Sequence, residues 1–583
     1  MSLRLRSLLV ASVAVFLQFP AIAEDAKIPT GAKIELVADR IEFFLGENIL
    51  LYYRITNTGE TSFSIDVGGD YRGGTRANRF KITAVDADNR SVEDPSPKQF
   101  HMGGLSPIAN LEPGEVWYEN VPVLRYTKLE KPGEYKLEVY HDLGFGDRGD
   151  NDPRTKSIRL KLQEPNETDA LKIIATMQDL RNYSGDSWGK KGRGNADFTL
   201  LTHPVYLPLI ERQGDSDAVT ALSHMPGAEA TQALMRLTSR DDDLTAAMAG
   251  LAISARISPA SGLPGNQTLG APWFPQGRPP IIAESWRPEF TAPVRALAHK
   301  LIGRTDDLAL IAAASLLMQV GNDKDFKTLL ASLDPVIKRA VAPATNKDHH
   351  EGPRWALRQT LIAFEHFASR GILLEAAPES TAEYLAFTAT LSADPKPGFE
   401  KTLAAVLQHP HPLVREVAVR RLPAPLPPPL PTHVLALMAD ADAKVRSAAC
   451  EVANNLKLPG GRKQALQAIA KSQDPWTVWM AVDTAVRDGG RVECAKLLAD
   501  RFAELSDHPQ YVSMHIMRHL CRITTGGHMS GSWHFLKDPD GKKRARAIGD
   551  AWKKMIDEHA DDLRAGKLVT FTDDKLPADL GEF

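Results

Sequence analysis

The four residues from Asp348 to Glu351 are of types that bind metal ions: one aspartate, two adjacent histidines and one glutamate. His366 follows in the chain. Adjacent side chains of a helix point about 100° apart, so His349 and His350 do not share a helix face, and the H-E-x-x-H spacing of zinc enzymes is absent. The pattern favours a charged loop between helices. A metal-dependent enzyme built around His349, His350 and Glu351 is kept as an alternative.

An acidic and glycine-rich segment, residues 141–152, contains the densest group of carboxylates in the chain. Asp147, Asp150 and Asp152, with Asn151, offer oxygen ligands of the kind that Ca²⁺ binds. The D-x-[DN]-x-[DN]-G spacing of an EF-hand is not met, and no glutamate stands at its twelfth position. We expect a solvated loop between two strands, with the three aspartates as candidate calcium ligands. The sequence otherwise predicts no cofactor.

The stretch from Ser64 to Phe80 comes within one residue of the phosphate-binding pattern G-x-x-x-x-G-K-[ST], because Gly74 stands where the lysine should be. A phosphate loop also needs a helix after it, whose N-terminus receives the phosphates. Residues 79–85 instead alternate as a strand does, which argues against nucleotide binding. Two interpretations remain, a glycine-rich connection between strands or an exposed recognition loop. The candidate binding residues of that loop are Asp70, Tyr71, Arg72 and Arg76.

Residues 258–290 contain seven prolines and form a connection far longer than the 2 to 8 residues usual between helices. One interpretation is that aromatic side chains fix this segment over a groove between helices. The other is that the segment is a ligand-contacting edge. The candidate binding residues here are Trp273, Phe274 and Trp286.

Recognisable catalytic motifs are absent from the chain. It has no Gly-x-Ser-x-Gly, no cysteine in a protease-like phrase and no carboxylate pair placed by a known motif. An enzyme is therefore disfavoured. The 70 basic and 73 acidic residues give a formal net charge of -3, so no overall field attracts a polyanion, and no nucleic-acid partner is expected.

The N-terminus has the organisation of a signal peptide, which we assign to residues 1–23. Arg4 and Arg6 precede an apolar run from Leu8 to Phe19, and Ala21-Ile22-Ala23 matches the small-x-small cleavage pattern. The apolar run is shorter than the roughly 20 residues that a membrane span needs. We expect cleavage before Glu24 and export to the periplasm or the extracellular space, with no membrane span in the mature chain.

Three cysteines, Cys450, Cys494 and Cys521, are too few and too scattered for a disulfide framework. At most one disulfide bond can form among them. All three lie in apolar helical patterns, so we expect buried and unreactive thiols.

Short alternating strands separated by turn residues occupy residues 31–164. Turn phrases such as Asn57-Thr58-Gly59 and Glu112-Pro113-Gly114 supply the backbone conformations that tight turns need. About seven strands without a helix predict an antiparallel β-sandwich. The clearest predicted strands are 33–37, 49–55, 80–85, 135–140 and 157–162.

Several phrases of this region resemble those of bacterial immunoglobulin-like sandwich modules of exported proteins. They include Gly46-Glu47-Asn48-Ile49, Leu111-Glu112-Pro113-Gly114-Glu115 and Lys131-Pro132-Gly133-Glu134-Tyr135. The resemblance implies an Ig-like fold for about 130 residues. It also implies a module that spaces, docks or binds rather than one that catalyses.

Helical patterns replace the strands from residue 166 to residue 566. Asp306 and Gly321 suit the start and end of a helix over Leu308–Val320. Residues 409–418 and 440–449 match each other at a spacing of 31 residues, and each carries an apolar stripe that one helix alone would leave exposed. Stacked repeats bury such stripes.

These repeats resemble HEAT repeats, whose helices often open with Asp-Pro-x-x-Val-Arg. Val414-Arg415 and Val445-Arg446 carry the centre of that phrase, and a degraded third copy has Trp479 in place of the arginine. The resemblance implies a right-handed, ARM-type α-solenoid of roughly eight to ten repeats, counting about 40 residues for each. In it Arg415 and Arg446 form a structural polar ladder between neighbours. Residues 567–583 are a C-terminal tail.

The sequence as a whole predicts an exported bacterial HEAT-repeat protein with an N-terminal immunoglobulin-like β-sandwich. Its expected function is non-catalytic binding or scaffolding, in which the solenoid face holds a protein or peptide partner. Carbohydrate or cell-wall binding is an alternative, since exposed aromatic side chains stack on sugar rings. The metal-dependent enzyme is the other alternative.

Overall fold

A computed structural model describes residues 28–66, 76–77, 79–95, 108–145, 152–182, 198–257, 286–342, 351–374, 376–393, 398–504, 510–526 and 541–569. The chain divides into two compact units, Met1–Arg304 and Thr305–Phe583. The first unit contains a β region followed by helices, and the second contains helices.

The β region has nine described strands. They are β1 (Ala32–Val37), β2 (Glu42–Phe44), β3 (Leu50–Asn57), β4 (Phe63–Asp66), β5 (Phe80–Asp86), β6 (Ile108–Leu111), β7 (Val116–Pro122), β8 (Gly133–His141) and β9 (Thr155–Gln163). The sheets have the orders β1-β3-β7, β2-β9-β8-β5 and β4-β6. Neighbouring strands are antiparallel, except that β2 runs parallel to β9. The five clearest predicted strands are confirmed to within two residues at each end.

Alternation along β3 shows why this sequence forms sheets. Leu51, Tyr53 and Ile55 are fully buried in one apolar core. Arg54 points to the other face and donates to Glu35 on β1, its partner in the strand register, at 2.6 Å. A one-residue shift in register would exchange these two faces, so the apolar pattern fixes the pairing.

Among the described residues, six α-helices follow the β region in the first unit, and fifteen lie in the second unit. In the first unit they are α1 (Glu167–Asn182), α2 (Leu207–Gln213), α3 (Ser216–His224), α4 (Ala228–Thr238), α5 (Asp243–Ile257) and α6 (Thr291–Ile302). In the second unit they are α7 (Asp307–Val320), α8 (Asp323–Ala331), α9 (Leu333–Val341), α10 (Glu351–Ser369), α11 (Thr381–Ala393), α12 (Phe399–Val406), α13 (Pro412–Arg420), α14 (Leu430–Leu437), α15 (Ala443–Asn455), α16 (Arg462–Lys471), α17 (Pro475–Arg487), α18 (Arg491–Glu504), α19 (Gln510–Thr524), α20 (Gly541–Glu558) and α21 (Ala560–Arg564).

The packing in the second unit follows an alternating order. Each helix of the series α11, α13, α15, α17 and α19 contacts the next helix of that series, and α16, α18 and α20 do the same. Alternate helices of this part of the chain therefore pack side by side, and consecutive helices such as α16 and α17 also contact each other. None of the described helices combines the length and the apolar character needed to cross a membrane.

The predicted ends of α7 are confirmed, although the glycine acts for another reason than expected. The Asp306 carboxylate accepts a hydrogen bond from Ala309 N at 2.9 Å and caps the helix. Gly321 ends the helix with a negative φ of -75°, so it is not needed for a left-handed turn. A Cβ at this position would lie 2.4 Å from the carbonyl oxygen of Leu317 and 2.9 Å from the Phe367 ring, so close packing requires the glycine.

Candidate functional site

The two candidate loops of the β region leave the sheets at adjacent points. One follows Asp66 at the end of β4, and the other follows β8. Asp66 N donates to the carbonyl oxygen of Leu143 at 3.0 Å. Arg79 bridges the two loop bases, since its guanidinium donates to Asp66 and to Asp142 at 2.6 Å each. The candidates Asp70, Tyr71 and Arg72 lie outside the described residues, so the structure brings together only the bases of the loops.

Arg76 is the one candidate binding residue of the proposed recognition loop that the structure describes. It forms a bidentate ion pair with Asp94 at 2.7 Å and donates to the carbonyl oxygen of Arg125 at 2.9 Å. Its guanidinium also lies 4.7 Å from the centre of the Tyr126 ring, and its side chain is 13% exposed. These contacts hold neighbouring segments together, and a role of Arg76 in recognition stays a prediction.

Asp152, a candidate calcium ligand, faces an arginine. Both carboxylate oxygens accept hydrogen bonds from Arg154, the shortest at 2.6 Å, and both side chains are 4% exposed. Arg154 also donates to the carbonyl oxygens of Asp142 and Phe145. Asp147 and Asp150 lie outside the described residues. Within the described part of the chain, no group of three or more His, Cys, Asp or Glu side chains could hold a metal ion.

His141, at the end of β8, lies in an aromatic core. Its Nδ1 accepts a hydrogen bond from Leu143 N at 3.0 Å, which places the ring proton on Nε2. The ring centre lies 4.6 Å from that of Phe80 and 6.0 Å from that of Tyr53. Burial lowers the pKa of His141 to about 4, so the ring is neutral at pH 7. This histidine packs in the core of the β region and is not exposed beside the candidate loops.

The other candidate residues predicted from the sequence lie next to segments that the structure does not describe, or within them. Trp286 is partly exposed and meets the Phe290 ring edge to face, with ring centres 5.7 Å apart. Trp273 and Phe274 lie outside the described residues, as do His349 and His350. Glu351 begins α10. A ligand-contacting edge and a metal-dependent enzyme therefore stay predictions.

All three cysteines are buried, as the sequence predicted, and none of these described thiols forms a disulfide bond. Burial raises the pKa of Cys450 and of Cys521 to about 12, and it raises that of Cys494 further. We expect no labelling by iodoacetamide in the native protein and labelling of all three thiols after denaturation in guanidinium chloride. Mass spectrometry measures both states. Fast labelling of the native protein, or a disulfide bond, would contradict the structure.

An exposed aromatic group on α17, which no sequence motif indicates, gives the second unit a candidate binding surface. Trp476 is 47% exposed in the first turn of that helix. Its ring meets that of Trp479 edge to face, with ring centres 4.7 Å apart and planes at 86°. Trp479 in turn stacks with His519 of α19, at 5.7 Å between ring centres. We call these three side chains the tryptophan ledge.

The local sequence places the ledge at the start of α17. The Asp474 carboxylate accepts hydrogen bonds from Trp476 N at 3.4 Å and from Thr477 N at 2.9 Å, which caps the helix. Pro475 takes the first helical position, where its fixed φ suits a helix. Thr477 and Val478 then face inward and are buried. Trp476 is therefore directed to solvent by a well-capped first turn.

Helix caps give the register of α17 relative to its neighbours. The N-cap residues of α13, α15 and α17 are His411, Asp442 and Asp474. Counted from the caps, Val478 corresponds to Arg446, and Trp479 corresponds to Ser447. The sequence match that put Trp479 in place of the repeat arginine is therefore wrong by one residue. The tryptophan occupies a position on the helix face where its neighbour has a small polar side chain.

Ion pairs join several helices of the second unit near α17 in the chain order. They join α10 to α13, α13 to α15, and α17 to α19. The pairs are Arg354–Glu416, Arg420–Glu451 and Asp483–Arg522. Among the side chains described in α13–α19, Trp476 is the only exposed large hydrophobic one. A large exposed aromatic side chain is of the type enriched in binding hot spots.

The repeat arginines make equivalent contacts. Arg415 donates to the carbonyl oxygens of His409 and Pro410 at 2.8 and 2.9 Å. Arg446 donates at 2.7 and 2.9 Å to those of residues 440 and 441, which stand 31 positions further on. Arg415 also pairs with Asp440 of the next turn at 2.8 Å, which is the predicted ladder contact. The hydrogen bonds given for Arg446 reach only the turn that directly precedes its own helix, α15.

A shallow groove of about 600 Å³ runs along α16. Its lining residues are Gly460, Arg462, Lys463, Leu466, Gln467 and Ala470. They all come from one helix and the turn before it, so no second element encloses a ligand there. The tryptophan ledge, built from two helices, is the better candidate.

Comparison with known proteins gives no family for this chain. No protein-family model matches it, and no curated protein matches it. One similar solved structure is the crystal structure of Salmonella alpha-2-macroglobulin reacted with methylamine. It has 11% sequence identity and a TM-score of 0.15, and the match covers 89% of this chain. This chain spans 27% of the length of that protein. At this TM-score the likeness carries no argument about fold or function.

Proposed function

We propose that this chain is an exported, non-catalytic binding or scaffold protein. It comprises an Ig-like β-sandwich followed by a HEAT-like α-solenoid that holds a protein or peptide partner. The equivalent contacts of Arg415 and Arg446 and the side-by-side packing of alternate helices in the second unit support the repeat interpretation. The signal-peptide pattern of residues 1–23 supports export.

The exposure of Trp476 is the observation that carries the binding proposal. A tryptophan buries a large area in an interface at a low entropic cost, and such residues dominate measured binding energies. Trp476 meets the Trp479 ring edge to face, and Trp479 stacks with His519, so the Trp476 ring is preorganised before binding. A partner that buries this ring therefore does not also have to offset the entropic cost of ordering it.

We expect linear peptides selected from a display library on the full chain to bind about 30-fold more weakly to the Trp476→Ala variant. Isothermal titration measures the affinity. Leu244→Ala is the matched control, since Leu244 is 51% exposed and lies on α5 of the first unit. Selected peptides that bind both variants as tightly as the unmodified protein would place the binding surface elsewhere.

Carbohydrate binding is the second candidate, and the same exposed ring favours it because indole faces stack on sugar rings. Titration of the full chain with cell-wall glycan fragments separates the two. Heat of binding that disappears in Trp476→Ala would favour a glycan partner. Heat from the selected peptides alone would favour a peptide partner. If neither class binds, the proposed function is wrong.

A further inference from the structure

The β region and the first helices of the first unit meet at a close contact that we call the seam. It joins the turn Gly46–Glu47, between β2 and β3, to the segment Thr202–Tyr206 before α2. Thr202 N donates to the carbonyl oxygen of Gly46 at 3.1 Å. Gly46 has a φ of +69°, and a Cβ there would lie 2.7 Å from His203 N. Only glycine allows this approach, so the two segments have little room to adjust.

Two buried polar atoms at the seam have no hydrogen-bond partner in the described chain. Glu47 is 0% exposed, and one of its carboxylate oxygens pairs with Arg40, while Oε2 has no partner. Tyr206 is also 0% exposed, and its hydroxyl likewise has no partner. An ionised carboxylate only accepts hydrogen bonds, whereas a protonated one can also donate. The protonation state of Glu47 therefore decides whether its carboxyl group can donate a hydrogen bond within the seam.

Charged and titratable groups near the seam come from several of its elements. Arg40 attracts the carboxylate, but its side chain is 46% exposed and water screens it. Burial, together with the negative charge of Glu47, raises the pKa of the Tyr206 hydroxyl. His203 is bonded to Glu164 at 3.0 Å, and Asp169 on α1 adds a further negative charge near Tyr206.

Burial raises the pKa of Glu47 from 4.5 to about 7, although Arg40 and a backbone hydrogen bond oppose the shift. The folded state therefore holds this proton more firmly than the unfolded state does. The resulting stability is fully present below pH 4.5 and is lost as the pH rises from about 4.5 to about 7. The difference between a pKa of 4.5 in the unfolded state and about 7 in the folded state corresponds to a change of about 300-fold in the folding equilibrium constant.

We propose that Glu47 is a proton-dependent latch, which holds the seam closed when its carboxyl group is neutral and loosens the seam when it is ionised. The device needs only the two buried, unpartnered oxygens and the close approach at Gly46. The proposed latch lies at the contact between the β region and the first helices, and it does not include the tryptophan ledge. It is independent of the proposed binding function.

The test is Glu47→Gln in the full chain, followed by hydrogen exchange at pH values from 4.5 to 8 after correction for intrinsic rates. At pH 8 the amides of Thr202–Tyr206 in the variant should be better protected than those of the unmodified protein. At pH 4.5 the two proteins should be alike. Glu42→Gln is the control, since Glu42 is 56% exposed and its surface pair with Lys161 should not alter the seam.

The difference between the two proteins removes the contribution of every other titrating group. A difference that stays constant with pH would overturn the latch, as would a change spread evenly over the first unit rather than concentrated at the seam. The unmodified protein gives a second readout if the variant fails to fold. Its seam amides should lose protection between pH 5 and pH 8 relative to those of the aromatic core around His141, and equal behaviour of the two regions would also overturn the proposal.

Discussion

Substitution of Arg256 by methionine is expected to lower the free energy of unfolding by about 3–5 kcal/mol. Arg256, near the end of α5, is 1% exposed. Its guanidinium donates to the Thr231 hydroxyl at 2.8 Å and to the carbonyl oxygens of Met225 and Gly227 at 2.8 and 2.7 Å. Longer bonds reach the carbonyl oxygens of Leu222 and Ser223 at 3.3 Å.

The large effect follows from what the substitution leaves behind. Methionine has a similar length but no donor, so the carbonyl oxygens at the end of α3 and in the turn before α4 lose their partner while they stay buried. Burial lowers the pKa of Arg256 to about 10, so the side chain still carries its charge at pH 7. The measurement is urea unfolding of the full chain, with hydrogen exchange in α3 as a local readout.

Arg236→Met is the matched control for this prediction. Arg236 lies on α4 with its side chain 57% exposed, and it pairs with Glu211 at the surface. Exposed pairs of this kind contribute about 1 kcal/mol or less. If both variants lost the same stability, the buried hydrogen bonds of Arg256 would not be the cause.

Asp152→Asn should cost about 3–5 kcal/mol of unfolding free energy, because it leaves the buried guanidinium of Arg154 without its counter-charge. The amide keeps one acceptor oxygen and replaces the other by a donor that faces Arg154. Tyr53 donates to the backbone carbonyl oxygen of Arg154 at 2.6 Å, so a displaced Arg154 also disturbs the core of the β region. Thermal unfolding of the full chain measures the loss.

The same variant tests the calcium interpretation of residues 147–152. We expect the loss to be equal in calcium and in a calcium chelator, since the oxygens of Asp152 are occupied by Arg154. Asp88→Asn is the control, as Asp88 pairs with Arg90 while 70% exposed. Stabilisation of the unmodified protein by calcium, absent from Asp152→Asn, would instead favour a calcium site.

The local elements were largely predictable from sequence because alternation, turn residues and caps act over a few residues. The strand β7 was missed, although it pairs with β3 along seven positions. Its inward-facing residues include Glu119, which breaks the apolar alternation, and burial raises the pKa of that carboxyl group to about 7. On α5, Leu244 stands at helical spacing from the buried Met248 and Leu251, yet Leu244 is 51% exposed. Helical periodicity identifies the apolar face of a helix, but it does not show which residues of that face are covered by neighbouring helices.

The candidate site was less predictable. Trp476 was passed over because an apolar residue next to a helix start has the same pattern whether it packs inward or faces solvent. Its exposure depends on the cap at Asp474, which sets the helix phase, and the sequence match had shifted that phase by one residue. Likewise the pairing of Arg76 with Asp94 joins segments distant in sequence, and no spacing rule indicates it.

Two buried groups of the first unit have opposite effects on proton exchange with the buffer. The raised pKa of Glu47 means that this residue releases a proton on unfolding at pH values between about 4.5 and 7. The lowered pKa of His141 means that this residue takes one up between about 4 and 6.5. Where the ranges overlap the two offset each other, so together they add almost no net proton exchange to unfolding. Replacement of either residue removes this offset and changes the number of protons exchanged on unfolding by about one, which calorimetry in buffers of different ionisation enthalpy would record.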